Sequence, residues 1–383
     1  MTLLGRHLIN KLHCMTVVYI FSASIFCDTS FADNLTLERE AVLATSGLSI
    51  DTHVVFKLED TGPGIVFQHY FANTSAEYAR FKFVVDIENS ASEGWTIAIL
   101  SRNSGESYQP AWRIDASELC ENVIWSDEIR GSEILIRLMV DNSTIEPHIT
   151  LTQVAQAQEP AVPFSIVGED ERQPIGVFPD EIKALGKAVA KIRFVGDNGP
   201  IYNCTGFLLS QDLMLTNSHC INSKSERQSA IVAFDYDEKL SHETFNRLSE
   251  LIQHDYDLDY SLVRLTRSMD REPLKISDAR ITKDDKLIII QHPGGEPKQV
   301  SVKGCAVDKP SIKGRGSAKT DFSHKCDTLG GSSGAPVILK DSLLVIGLHH
   351  LGFKEGSSNL LNRAVHITRI MEHLKNSNVE LTL

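Results

Sequence analysis

Twelve residues near the carboxyl end, Cys326-Asp-Thr-Leu-Gly-Gly-Ser-Ser-Gly-Ala-Pro-Val337, restrict the fold more than any other stretch. Glycines on both sides of Ser333 let the backbone turn tightly around that serine, so that the main-chain N–H groups of Gly331 and Ser333 face one point. A serine hydroxyl attacks nothing unless a base takes its proton and a preformed pocket holds the negative oxygen that follows. A chain that uses this turn for chemistry must therefore bring a histidine and a carboxylate to it from elsewhere.

Two stretches offer them. Leu213-Met-Leu-Thr-Asn-Ser-His-Cys220 is an apolar strand end followed by a short polar turn with His219 beside a cysteine. Asp259-Tyr-Ser-Leu-Val-Arg-Leu265 is an aspartate opening an apolar strand. Asp255 and Asp257 are rival carboxylates, but only Asp259 leads directly into a strand, which assigns the other two to a solvated loop. The order His, Asp, Ser along the chain is one of the known triad orders. Together Cys204-Thr-Gly-Phe-Leu-Leu, Leu-Thr-Asn-Ser-His219-Cys220, Asp259-Tyr-Ser-Leu-Val and Gly-Ser-Ser333-Gly-Ala-Pro resemble the trypsin/chymotrypsin-like serine proteases. Within that family they are similar to the secreted bacterial branch that includes the glutamyl endopeptidases. The resemblance covers roughly residues 162–383.

It implies an all-β, chymotrypsin-like double barrel closed by a carboxyl-terminal helix, whose apolar stripe is Ile367, Ile370, Met371 and Leu374. It implies His219 as base, Asp259 as the group that orients it, Ser333 as nucleophile, and the N–H groups of Gly331 and Ser333 as the oxyanion site. A disulfide Cys204–Cys220 would pin the base, and Cys305–Cys326 would tether the nucleophile loop. Glutamyl endopeptidases place a hydroxyl and a histidine at the positions of Thr328 and His349, and such a pair can hold a substrate carboxylate. Asp327, which on a pocket floor would favour Lys or Arg, reads as structural, and so does His292. No metal or organic cofactor is implied. The chain departs from the trypsin pattern in one respect. Ile166-Val-Gly168 resembles the amino terminus that trypsin-like enzymes free and pair with an aspartate before the serine, but that neighbour here is the uncharged Ser332. A processing cut near residues 160–170 is still expected.

Ahead of this half, residues 1–32 read as a signal peptide: Arg6 and Lys11, a short apolar run to Phe26, and small residues before Ala32. The run is too short to cross a bilayer, and secretion permits disulfides. Residues 33–160 read as an antiparallel β-sandwich, with clean alternation at Ala79, Phe81, Phe83, Val85 and Ile87 and again at Ile134, Ile136, Leu138 and Val140. Trp112 and Trp125 are expected in its core and Cys120 as a buried thiol. Its role is not legible, and a surface ligand is one option. Gln156–Pro163 reads as the linker to the protease domain, 161–383. A net charge of −12 excludes a nucleic-acid partner, since nothing would neutralise phosphates. Protein or peptide substrates are expected. The competing expectation is a protease-like binding or adhesion protein that has lost catalysis.

Overall fold

The computed structural model describes residues 43–379 and 381, apart from 58–63, 74, 142–144, 162–163, 198, 240–241 and 353–360. The expected signal peptide, with Cys14 and Cys27, lies outside them. The amino-terminal half contributes eight strands: β1 (Ala44–Val55), β2 (Gly64–Ala72), β3 (Ala79–Val85), β4 (Trp95–Arg102), β5 (Gln109–Asp115), β6 (Val123–Trp125), β7 (Glu133–Val140) and β8 (Ile149–Ala161). Strands β2-β7-β4-β5 form one antiparallel sheet, and β1-β8-β3-β6 face it as the other layer. Period-two alternation sends Phe81, Phe83, Ile97, Ile99, Ile136 and Leu138 into one shared core. This is the expected sandwich. Trp112 stacks on Phe83 at 6.2 Å and Trp125 is buried, as expected of core residues. Two expectations fail: Cys120 is exposed, in a turn after Glu118 rather than on a strand, and Ile87 falls past the end of β3 and is 51% exposed.

The carboxyl-terminal half begins with β9 (Phe164–Ser165) and β10 (Gln173–Pro174). The first barrel follows in β11 (Val189–Val195), β12 (Pro200–Leu208), β13 (Leu213–Thr216), β14 (Ile231–Phe234), β15 (Thr244–Asn246), β16 (Leu248–Asp255) and β17 (Tyr260–Leu265). The second is built from β18 (Leu287–Gln291), β19 (Gln299–Ser301), β20 (Val307–Ile312), β21 (Asp321–His324), β23 (Pro336–Leu339), β24 (Leu344–Leu351) and β25 (Asn362–His366), with the short β22 (Thr328–Leu329) outside its sheet. The helix Ile367–Asn376 closes the chain, burying Ile367, Ile370 and Leu374 while Met371 packs partly buried against the same core. The first barrel shares a large apolar core with one side of the second, including Ile288, Ile290, Ile338 and Leu348, while Leu287, Ile289, Val307, Phe322, Val337 and Ile346 form a separate core in the second barrel.

The linker expected at Gln156–Pro163 is mostly strand. Strand β8 runs through it to Ala161, with Gln156 opposite Leu48 of β1 on one side and Ala79 of β3 on the other. Gln156 and Ala157 are bonded on both sides and Ala161 pairs with Thr45 of β1; backbone paired in this way is satisfied regardless of its polar side chains, so composition misled here. The two halves are in fact continuous: β1 pairs antiparallel with β12, Ala44 to Asn203 and Leu48 to Pro200, joining sandwich and first barrel in one 11-stranded sheet. A small cluster of Tyr78, Trp125, Ala155, Ala157, Val195 and Ile201 fills the seam. Ion pairs Arg193–Glu128, Arg227–Glu121 and Arg247–Asp127 lie across it.

Arg193 and Glu128 retain only 13% and 17% of their side-chain exposure, so removing one strands a nearly buried charge. Glu128→Ala is expected to cost about 3 kcal/mol, at the lower end for a buried pair because some solvent reaches it. Thermal and urea unfolding of both halves, followed by tryptophan fluorescence, would measure it; a change near zero would mean that the seam carries little stability.

Candidate active site

His219 sits in the turn after β13, held from both sides. The disulfide Cys204–Cys220 ties that turn to β12 with a Cα–Cα distance of 6.3 Å, and Asn217 Nδ2 donates to the Asp259 carbonyl at 2.7 Å. Asp259 stands at the entry to β17 with φ +45, a left-handed conformation rare for a residue with a side chain. That backbone turns its carboxylate back toward the histidine: the His219 main-chain N–H donates to Oδ1 at 3.1 Å, and His219 Nδ1 lies 2.8 Å from Oδ2. Both side chains are fully buried.

The loop with Ser333 reaches them from the second barrel. Gly331 has φ +94 and Gly334 φ +88. A Cβ on Gly331 would lie 2.8 Å from the His292 carbonyl oxygen, and one on Gly334 would lie 2.0 Å from that of Thr205. Neither position tolerates a side chain. Thr205 of β12 fastens the loop: its N–H donates to the Ser333 carbonyl at 2.8 Å, its hydroxyl donates to the Gly331 carbonyl at 2.9 Å, and the same hydroxyl accepts from the His292 N–H at 3.0 Å. Cys220 Sγ lies 4.0 Å from the Ser333 carbonyl oxygen, which sets the histidine turn beside the serine loop. The second disulfide, Cys305–Cys326, anchors the start of the loop. His292, fully buried, contacts the Glu296 carbonyl through Nδ1 and stacks on Tyr236, a structural role.

The structure adds groups that the sequence did not single out. Arg315, from the segment between β20 and β21, places Nη2 2.7 Å from Asp259 Oδ2 and 3.2 Å from His219 Nδ1, with its guanidinium 5.1 Å from the Tyr256 ring centroid. His350 of β24 bridges two carboxylates, Asp259 Oδ2 at 3.1 Å and Asp321 Oδ2 at 2.9 Å. Oδ2 of Asp259 thus meets three nitrogens, more than its two lone pairs can serve equally. Burial alone would push this carboxyl up, but the Arg315 charge, then His219 and the hydrogen bond from His350, hold it far below the usual carboxylate range. Burial pulls His350 down, yet its two carboxylate partners prevail and raise it above the ordinary imidazole value.

Thr328 and His349 are both buried, 1% and 2% exposed. Thr328 Oγ1 has no hydrogen-bond partner among the described residues. His349 Nδ1 lies 3.2 Å from His324 Nε2, and burial holds His349 well below its ordinary value. Asp327 is not aimed at a pocket as a lone charge. Its two oxygens accept from the main-chain N–H groups of Val167 at 2.8 Å and Glu171 at 2.9 Å, and burial raises its carboxyl.

Residues 204–348 match the family model of the trypsin-like peptidase domain. With the two barrels and the closing helix, this match gives the carboxyl-terminal half a chymotrypsin-like protease fold. A secreted RxLR effector protein of Plasmopara viticola is 28% identical over 208 residues, which are 49% of this chain and 51% of that protein. An uncharacterized protein, y4fB, of Sinorhizobium fredii (strain NBRC 101917 / NGR234) is 31% identical over 209 residues, 49% of this chain and 31% of that one. The chain therefore spans about half the length of the first relative and about a third of the second. Among solved structures, the active form of the Rv3671c protease from M. tuberculosis aligns at TM-score 0.43 and 15% identity, over 57% of this chain and 92% of that one. Deg5 aligns at TM-score 0.39 and 15% identity, over 50% and 90%.

His350 supplies a pH prediction. A histidine whose folded value is raised stabilises the fold fully below the ordinary imidazole value near 6.5, and that stability is lost as pH rises through the raised value. Urea midpoints measured from pH 5 to 9 should fall over that window, and His350→Gln should flatten the fall. A profile unchanged by the substitution would remove His350 as its source.

Proposed function

We propose that the chain is a serine endopeptidase working through His219, Asp259 and Ser333. The observation that carries this reading is the buried contact of His219 Nδ1 with Asp259 Oδ2, beside a serine loop held by two left-handed glycines. In that reaction His219 Nε2 takes the Ser333 hydroxyl proton as Oγ attacks the scissile carbonyl. The N–H groups of Gly331 and Ser333 receive the developing oxyanion, and Asp259 stabilises the imidazolium. The proton then passes to the leaving amine, and water hydrolyses the acyl-enzyme by the same route. Ser333→Ala and His219→Ala should each lower turnover of a peptide about a million-fold, and the double variant little further. Additive losses would mean that the two do not act as a unit.

Preference for Glu before the scissile bond is the finer part of the proposal. The Thr328 hydroxyl, buried without a hydrogen-bond partner among the described residues, and the buried His349 imidazole support a site that receives a carboxylate. Peptides differing only at that residue should be cleaved fastest with Glu, and Thr328→Val should reduce kcat/KM for Glu about tenfold or more, the worth of one hydrogen bond to a charged group. Equal rates across the panel would remove this preference. Export is the compartment we propose, supported by two disulfides in a chain of this size.

One observation favours a second reading, a catalytically silent binding protein: Arg315 competes with His219 for the same oxygen of Asp259. A fluorophosphonate probe separates the two. Labelling that disappears in Ser333→Ala supports the peptidase, whereas absence of labelling in every form of the protein supports the silent one.

A further inference from the structure

Asp259 meets more positive charge than one histidine brings. Arg315, its side chain only 6% exposed, places Nη2 2.7 Å from Asp259 Oδ2 and 3.2 Å from His219 Nδ1. The segment between β20 and β21 is built to hold it there. The Gly314 N–H donates to the Ala318 carbonyl at 3.0 Å, closing the segment on itself, and a Cβ on Gly314 would stand 2.0 Å from Thr320 Oγ1. The guanidinium also lies over the ring of Tyr256, in the turn before Asp259. A guanidinium only donates, and it keeps its charge throughout the range in which imidazoles titrate. His219 Nδ1 thus shares Asp259 Oδ2 with a permanent cation.

The charges packed around His219 balance before it takes a proton. Asp259, at the head of β17, is matched by Arg315. Burial opposes a charge on His350 of β24, yet its contacts with Asp259 and Asp321 prevail and raise it, and Asp321 of β21 matches that charge. His349, the other histidine of β24 that faces His219, is held well below its ordinary value by burial and adds no charge. Asp257, in the turn before Asp259, packs on Gly316 beside Arg315. The serine loop contributes only the uncharged Ser332 and Ser333. An imidazolium at 219 would be a third cation over two buried carboxylates. An opposite charge favours the charged form of a group and a like charge disfavours it. We propose that Arg315 is a positioning residue of the triad, acting through Asp259, whose charge keeps His219 a neutral, proton-accepting base into acidic solution. The inference rests on the peptidase reading above and adds its working range: cleavage continues at a pH at which an imidazole facing an uncompensated carboxylate is already protonated. His350 points the same way, because its contribution to stability is complete below the ordinary imidazole value near 6.5.

The test is the pH dependence of kcat/KM for a fluorogenic peptide. Its acid limb reports protonation of the base in the free enzyme. Arg315→Gln keeps a donor and removes the charge, so the acid limb should move up by about one pH unit, a tenfold gain in proton affinity. Arg315→Lys should return it toward the native position, and Arg315→Met replaces the Gln variant should that one not fold. A residue that merely held its loop in place would lower turnover at every pH and leave the limb where it was, and that result would overturn the proposal. If a small fluorophosphonate labels no form of the protein, the peptidase reading fails instead, and the charge effect is then read without turnover. NMR titration of the labelled His219 imidazole in Ser333→Ala, its signal assigned by its loss in His219→Gln, should show protonation at a higher pH once Arg315→Gln is added. Coincident titrations with and without Arg315 would refute the role on their own.

Discussion

A carboxylate with no exposure to water governs this site. Taking the Asp259 charge out of solvent costs several kcal/mol unless neighbours compensate it, and the surrounding architecture supplies them from both barrels. His219 comes from the turn after β13, His350 from β24, and Arg315 from the segment after β20. Asp321 in turn balances His350, so that two carboxylates alternate with cationic groups across the barrel interface. The left-handed backbone at Asp259 is compatible with this arrangement because the carbonyl it exposes is taken by Asn217. A neutral residue at 259 would leave Arg315 and His350 facing each other without the charge between them.

The proposed triad could be picked out because its chemistry demands particular side chains at turns with particular neighbours: a serine flanked by glycines, a histidine before a cysteine, an aspartate ahead of a strand. The sandwich was readable from strict alternation, which survives wherever one face is wet. What stayed hidden was supplied by long-range packing. Nothing local marks Arg315, in a run of Lys, Gly and Ser, as a partner of Asp259. Thr205 had a visible neighbour in Cys204, but its threefold use as donor, donor and acceptor to the serine loop and His292 depends on the two barrels meeting. The linker was misread for the opposite reason. Polar residues and prolines suggested a loop, while the deciding factor was that β1 runs alongside it, with Tyr78 and Ala79 bonding its first two residues from the other side.

Thr205 also shows how little of such a site is carried by its reacting atoms. One residue on a barrel strand connects the carbonyl of Ser333, the carbonyl of Gly331 and the backbone of His292. In the proposed reaction a change there would shift the Gly331 and Ser333 donors even with His219, Asp259 and Ser333 in place, and misplacement on the scale of an ångström is enough to forfeit much of their effect.

The pairing of β1 with β12 gives the amino-terminal half a standing that ordinary leader domains lack. A leader joined by a flexible tether can be exchanged, duplicated or dropped in evolution with the enzyme untouched. Here its removal would bare a row of amides and carbonyls along Pro200–Asn203, together with Val195 and Ile201, and create an adhesive edge where there had been an interior. The boundary between these two units is one that recombination could cross only with a replacement strand in hand, which makes them one heritable piece.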